Sequence, residues 1–386
     1  MPRVVILQPR CELYRVEFYE HLISRLAKSG VTVDLIYGES NRYEAIRTGH
    51  VSGAIEVPNR YFYCGRRFLV WQPALRRLRS ADLVIIQQNS ANLINYPVLL
   101  LRQLGVLRVA FWGHGGNLQA GDQHPIREAF KAWYSKRVDH WFAYTELTRN
   151  LVEHLGFPAD KITVVNNAID SGPLIGEYDR KTAADDLALR TALGIPEDAS
   201  VGLYCGRLYP DKRLNFLMDA ATEVHNRVLQ FHLIVIGEGQ SEGEMADYAK
   251  ANGEWVHFVG PKYGLERVPY FHIAACQLSP GAVGLAIADS FAMLTPLITT
   301  ELRTHGPEIA YLENGINGIM AANSLTAYAD AVTRYLSDKQ YETSLRTGCA
   351  KSRKLYTVEN MAERFSAGIL QILDQNEGIE ALKTYA

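Results

Sequence analysis

Two cations stand five residues apart in "LYCGRLYPDKRLNFLMDA", residues 203–220: Arg207 and Lys212. The run reads as a strand ending at Gly206, a turn, and then an amphipathic helix. Around such a turn both cations can converge on a diphosphate, helped by the partial positive charge of the helix start. The alternative is a solvated loop carrying two surface charges. A second turn, "SPGAVGLAIADSF" at 279–291, has Gly281 and Gly284 ahead of a helix, where they permit close backbone approach and positive φ. Exposed N–H groups at Ala282, Val283, Gly284 and Leu285 would suit an anion there. Asp289 falls one to two turns into that helix, as a ligand contact or as an acid favoured by the helix dipole. In "FWGHGGNLQ", 111–119, His114 lies among three glycines at a strand end, which opens its ring to a ligand unless it is merely structural.

"YFYCGRRFLVWQPALRRLRS", 61–80, holds Arg66, Arg67, Arg76, Arg77 and Arg79 with no acid, beside Tyr61, Phe62, Tyr63, Phe68 and Trp71. Aromatic anchors mixed with arginine suit peripheral contact with an anionic membrane. The competing reading is a solvated helix with a core-facing aromatic edge. No nucleic-acid partner is expected, because the cations are local and no recognition motif accompanies them. HExxH, GxSxG, GxxxxGK[ST] and DxD are all missing from the sequence. That pattern favours a site that neutralises phosphates with Arg, Lys and helix termini, with no metal and no cofactor expected.

Positioning these groups requires strands that end together. Short apolar runs such as "VVILQ", "DLVIIQQ", "LRVAFWG", "VGLYCGRL" and "FHLIVIG" alternate with helix-length segments, the mark of parallel sheets covered on both faces. At 386 residues the chain suits two domains. The alternation stalls between Asp170 and Ser200, so 1–170 is expected as one domain, 171–198 as a linker with the first helix of the next, and 199–355 as the second. In doubly wound sheets ligands bind beyond the carboxyl ends of the strands.

The formal net charge of −2 conceals an asymmetry: residues 1–150 carry 20 Lys+Arg against 12 Asp+Glu, and the remainder the reverse excess. A basic front half predicts an anionic partner there. Five scattered cysteines form no CxxC pair, which fits reduced thiols and a cytoplasmic location. No run approaches the roughly 20 apolar residues that span a bilayer, and "MPRVVILQPR" reads as a first strand and not a signal peptide.

Taken in order, "CGRLYPDK", "IGEG" and "SPGAVGLAIADSFAMLTPLIT" resemble the donor-binding half of family 4 glycosyltransferases of the GT-B fold. "WGHG", "YRVEFYEHL" and "VVNNAID" resemble the first half more loosely, within a branch that makes bacterial surface polysaccharides. "LYTVENMAERF" resembles the helix that crosses back, so 356–386 is expected to return to the first domain. The resemblance implies two doubly wound Rossmann-like domains facing a central cleft, the first binding acceptor and the second the nucleotide sugar. It implies retaining transfer of a hexose from a UDP- or GDP-linked donor to a hydroxyl of a glycan or lipid-linked acceptor. Arg207 and Lys212 would hold the diphosphate, His114 would lie at the donor sugar, and Asp289, the second acid of EGFGxxxxE, would bond the ribose. The first acid of that motif falls on Gly281, so backbone N–H groups of 282–285 would hold sugar and phosphate instead. Tyr263, in the loop 260–264, is the candidate base contact, and Arg10 and Arg15 are candidates on the acceptor side. Two other readings stay open: a sugar-nucleotide binder without turnover, and an epimerase of the same fold.

Overall fold

The structure, a computed structural model, describes residues 1–39, 48–65, 67–116 and 125–384; side chains at 67, 125–128, 131 and 375–384 lie outside that description. Arg66, the Arg67 side chain and the end of the His114 turn beyond Gly116 therefore fall outside it. The chain packs as two compact units, residues 1–170 with 358–386, and residues 171–357.

In the first unit, β1 (Arg3–Leu7), β2 (Thr32–Gly38) and β3 (Ile55–Val57) precede a hairpin of β4 (Arg60–Cys64) and β5 (Arg67–Trp71). Then come β6 (Leu83–Gln87), β7 (Val109–Gly113), β8 (His140–Ala143) and β9 (Ile162–Val164). Seven of them form one sheet in the order β3-β2-β1-β6-β7-β8-β9, parallel throughout. The order reverses beside β1, as in a doubly wound fold. Val4–Ile6, Leu83–Ile86 and Phe111 are fully buried, as the continuous apolar runs require when helices cover both faces.

Helix α1 (Val16–Lys28) packs in this unit, with α2 (Asn95–Gln103), α3 (Pro125–Ser135) and α4 (Glu146–His154) supplying further connections. The last helix of the chain, Val358–Thr384, packs on α1 within this unit. Its Phe365 stacks on Phe142 at 4.1 Å and meets Trp112 and Phe18 edge-on. The hairpin replaces the helix that was the alternative for 61–80. Its residues alternate with period 2, pairing Phe62 with Leu69 on one face and Tyr63 with Phe68 on the other.

The second unit opens with α5 (Gly172–Tyr178) and α6 (Ala183–Leu193), so the stretch expected as linker and first helix is two helices of this unit. Thr182 and Asp185 close a capping box at the start of α6, and Gly194 ends it in the left-handed region. Six strands follow: β10 (Ser200–Cys205), β11 (Phe231–Ile236), β12 (Val256–Phe258), β13 (Cys276–Leu278), β14 (Leu297–Thr300) and β15 (Gly318–Ala321). They form a parallel sheet in the order β12-β11-β10-β13-β14-β15. Helices α7 (Leu214–Arg227), α8 (Glu242–Ala251), α9 (Val268–Ile273), α10 (Ala286–Ala292), α11 (Leu325–Ser337) and α12 (Lys339–Leu355) complete the unit, and α13 is the final helix already described. The switch of strand order falls between β10 and β13, whose carboxyl ends carry the 206–213 and 279–285 turns.

Candidate functional site

The two turns after β10 and β13 are locked together. Lys212 Nζ donates to Ala282 O at 2.5 Å, and Ala282 N–H donates back to Asp211 O at 3.0 Å. Arg213, in the left-handed region at φ 54°, extends the seam by donating to Pro280 O, Thr300 Oγ1 and Asn323 Oδ1. Gly281 lies directly on the Lys212 backbone: a Cβ there would be 2.5 Å from Lys212 Cα and O. No side chain fits, which is the physical reason the acid of the family pattern is missing at this position.

The turn's own N–H groups are partly spent, contrary to the expectation that all of 282–285 face a ligand. Val283 N–H donates to His305 Nδ1 at 3.0 Å, while His305 Nε2 lies 2.8 Å from Thr300 O. This fixes the neutral Nε2–H tautomer, and burial lowers the pKa of the ring accordingly. Among the described residues, Gly284 and Leu285 N–H have no acceptor within the chain. Glu308, buried on the 3-10 turn Pro307–Tyr311, brings its carboxylate against Gly284 and Gly306.

Arg207 is exposed, with its guanidinium 5.8 Å from the Tyr209 ring, and its carbonyl accepts from the Tyr204 hydroxyl at 2.7 Å. Gly206 is held by its N–H to Ile236 O, and Gly239 packs so closely on Leu208 that a Cβ would sit 2.6 Å from Leu208 O. That close approach explains the second glycine of "GEG" after β11.

Asp289 is not a free acid on its helix. Arg267 grips it with two bonds, Nη1 to Oδ2 at 2.6 Å and Nη2 to Oδ1 at 3.1 Å. On the same turn, the Tyr263 hydroxyl donates to Glu238, and the Tyr263 N–H donates to the Glu266 carboxylate in a capping arrangement. Sequence reasoning missed Arg267, Arg213, His305 and Glu308. Their partners lie on other elements, beyond the reach of a local motif.

In the first unit, His114 follows β7 and packs against Tyr144, ring centres 4.3 Å apart. Its ring keeps solvent access, but crowding by protein atoms and then the charge of Arg15 hold its pKa down to about 4, so it is neutral at pH 7. Arg15 is buried, over the rings of Trp112 at 4.9 Å and Tyr144 at 5.4 Å, and donates to Met361 Sδ. Arg10 pairs with Glu12 at 3.2 Å.

Two doubly wound parallel sheets, with cation-bearing and glycine-bearing turns at the switch point of the second, are the architecture of the GT-B fold. The comparisons agree. The family described as Glycosyl transferases group 1 matches residues 199–338, and Glycosyltransferase Family 4 matches residues 17–172. The chain belongs to these group 1, family 4 glycosyltransferases. It is 25% identical over 358 residues to a lipopolysaccharide 1,2-N-acetylglucosaminetransferase of Salmonella typhimurium, covering 85% of both chains. It is 26% identical over 249 residues to a D-inositol 3-phosphate glycosyltransferase of a Nocardioides species, covering 59% of this chain and 52% of that one. The fold matches Anabaena HepE in complex with UDP, at a TM-score of 0.70 and 14% identity, over 96% of this chain and 100% of that one. Sucrose-phosphate synthase of Thermosynechococcus elongatus matches at 0.70 and 16% identity, over 97% and 100%.

Proposed function

We propose that this glycosyltransferase moves a hexose from a UDP- or GDP-linked donor to a hydroxyl of a glycan or lipid-linked acceptor, with retention at the anomeric carbon and without a metal. The observation that carries the reading is the locked pair of turns at the β10/β13 switch point. It presents Lys212, an exposed Arg207 and the N–H groups of Gly284 and Leu285, which have no acceptor among the described residues, at the carboxyl ends of the two central strands. Lys212 spends one of its three protons on Ala282 O, and Asp211 stands 3.5 Å away, too far for a strong second bond. Donor capacity is thus left for a ligand. Arg207 and Lys212 would then stabilise the negative charge that grows on the diphosphate as its bond to the anomeric carbon breaks. The acceptor oxygen bonds to that carbon on the same face, and its proton passes to the departing phosphate oxygen. His114, neutral at pH 7, would hold the sugar by hydrogen bonds and not as a charged acid.

Peripheral attachment at the cytoplasmic membrane face is part of the same reading. Phe62 and Leu69, paired across the hairpin, are 55% and 44% exposed, and Arg76, Arg77 and Arg79 follow. No helix among the described residues is long and apolar enough to cross a membrane. The Salmonella relative's name favours a glycan acceptor.

Thermal unfolding with millimolar UDP, GDP, dTDP, CMP and their sugar conjugates tests the donor site. A nucleotide at about 100 times its dissociation constant should add about 2.7 kcal/mol of apparent stability. Arg207→Ala should abolish most of that gain. Nucleotide release that needs an acceptor, with an α-linked product by NMR from an α-linked donor, is the expected turnover. Binding without turnover would leave a sugar-nucleotide binder, and release of nucleotide with no acceptor present would leave an epimerase.

A further inference from the structure

Arg15 is a buried cation with no acid bonded to it among the described residues. It ends the 3-10 turn Leu13–Arg15 at the N-cap of α1, and only 2% of its surface is exposed. The rings of Trp112, Tyr14 and Tyr144 surround its guanidinium at 4.9, 5.0 and 5.4 Å. Ring faces attract a cation, but they give its N–H groups no oxygen. One of its five N–H groups donates to Met361 Sδ at 3.6 Å, a weak acceptor, and no other hydrogen bond joins it to a described residue. Glu12, an acid whose charge reaches Arg15, pairs with Arg10 instead. A buried charge held this way lowers stability.

Two more donors share its situation. Trp112 Nε1 and Gln8 Nε2 are buried and have no acceptor among the described residues. Trp112 belongs to the core cluster under α1 that also holds Ile6 and Phe18. Gln8 extends β1 two residues past Ile6, with its N–H bonded to Ile36 O, so its side chain leaves the same face of the sheet. Donors therefore outnumber acceptors on one face, at the carboxyl ends of β1 and β7, and the positive end of α1 adds to the excess. A phosphate monoester, with three terminal oxygens, can meet an arginine fork and single donors together, where a carboxylate has only two. Of the three rings, Trp112 and Tyr144 are buried while Tyr14 is 40% exposed, so the approach to the guanidinium is past Tyr14.

Resting on the reading of the first unit as the acceptor side, we propose that Arg15 is the floor of an oxyanion site, roofed by Tyr14, that takes a phosphate group carried by the acceptor. The acceptor is then a phosphorylated glycan, and the anion completes a cluster that the chain alone leaves short of acceptors.

The test is NMR of the full chain labelled in its histidine rings, with the His114 signal assigned by its loss in His114→Gln. Inorganic phosphate, glucose 6-phosphate, glucose, UDP and GDP are titrated into wild type, Arg15→Met and Arg15→Lys, and each melting temperature is recorded. Burial and then the Arg15 charge hold the His114 ring down, so a phosphate on Arg15 should raise its pKa. Both phosphates should move the His114 signal and glucose should not. Arg15→Met should weaken both by about tenfold or more, and Arg15→Lys, which keeps the charge but not the fork, should fall between. Arg15→Met removes a buried unpaired charge and should leave the melting temperature level or raised. The lysine variant decides the matter if the methionine variant fails to fold. A His114 signal that ignores both phosphates in wild type overturns the proposal. So does a lowered melting temperature in Arg15→Met with phosphate binding unchanged, which leaves a structural cation. A response to inorganic phosphate but not to glucose 6-phosphate rules out a sugar-borne group. An Arg15-dependent response to UDP or GDP that displaces glucose 6-phosphate assigns the anion to the donor and overturns the acceptor assignment. If neither nucleotide binds anywhere, the donor-site reading fails, while the response to the two phosphates still decides this one.

Discussion

At position 281 a missing side chain is a packing requirement. The Lys212 backbone occupies the space a Cβ would need, so Gly281→Glu cannot restore the family's acid by substitution alone. The two turns would have to part, breaking the Lys212–Ala282 and Ala282–Asp211 bonds. We expect Gly281→Glu to lose about 1–3 kcal/mol of stability through overpacking, read as a lowered melting temperature, with nucleotide affinity falling and not rising. The glycine itself was legible in the sequence as a departure from the family pattern. The wall behind it was not, because Lys212 stands about 70 residues away in the chain, and only the strand order of the second sheet brings the two turns together.

Elements were more legible than contacts, for a physical reason. Continuous apolar runs are the direct consequence of burying a parallel strand on both faces, so β1, β6, β7, β10 and β11 could be read from composition alone. The hairpin β4–β5 was hidden because Arg60–Cys64 and Arg67–Trp71 each read as an arginine followed by an unbroken aromatic and apolar run, and the alternation appears only as exposure along β4 in the fold. Asp289 sits in the first turn of α10, as the glycine-bearing turn before it implies. Its partner on the Gly264–Arg267 turn could not be seen, since ion pairs between elements leave no periodic trace. The final helix supplies a test at this scale. Phe365, wholly buried between Phe142, Trp112 and Phe18, anchors that helix to the first sheet. Phe365→Ala should cost about 3–5 kcal/mol. Because the helix and sheet belong to one packed unit, chemical denaturation should show the first unit unfolding earlier while the second is little changed.

For the molecule as a whole, acid is the weak side. His140 and His232 are buried, and desolvation holds both rings down to about 4; His114 is lowered to the same region. A histidine with a depressed folded pKa is neutral in the fold and takes up a proton more readily when unfolded. Stability should therefore be full above about pH 6.5 and fall as the pH drops through the window from 6.5 towards 4. The loss should approach about 1.4 kcal/mol per pH unit for each of the two buried rings. The more exposed His114 should contribute less, because solvent screens it. Melting temperatures recorded across that window check the sign. His305 belongs to the same trend with a local effect, since its protonation at Nδ1 would evict the Val283 N–H. That bond has a further consequence in isotope exchange. The amide protons of Ala282 and Val283, already committed to Asp211 and His305, should exchange slowly with deuterium in the unliganded protein. Those of Gly284 and Leu285 should exchange quickly, and when a donor binds they should be the two in the turn whose exchange slows.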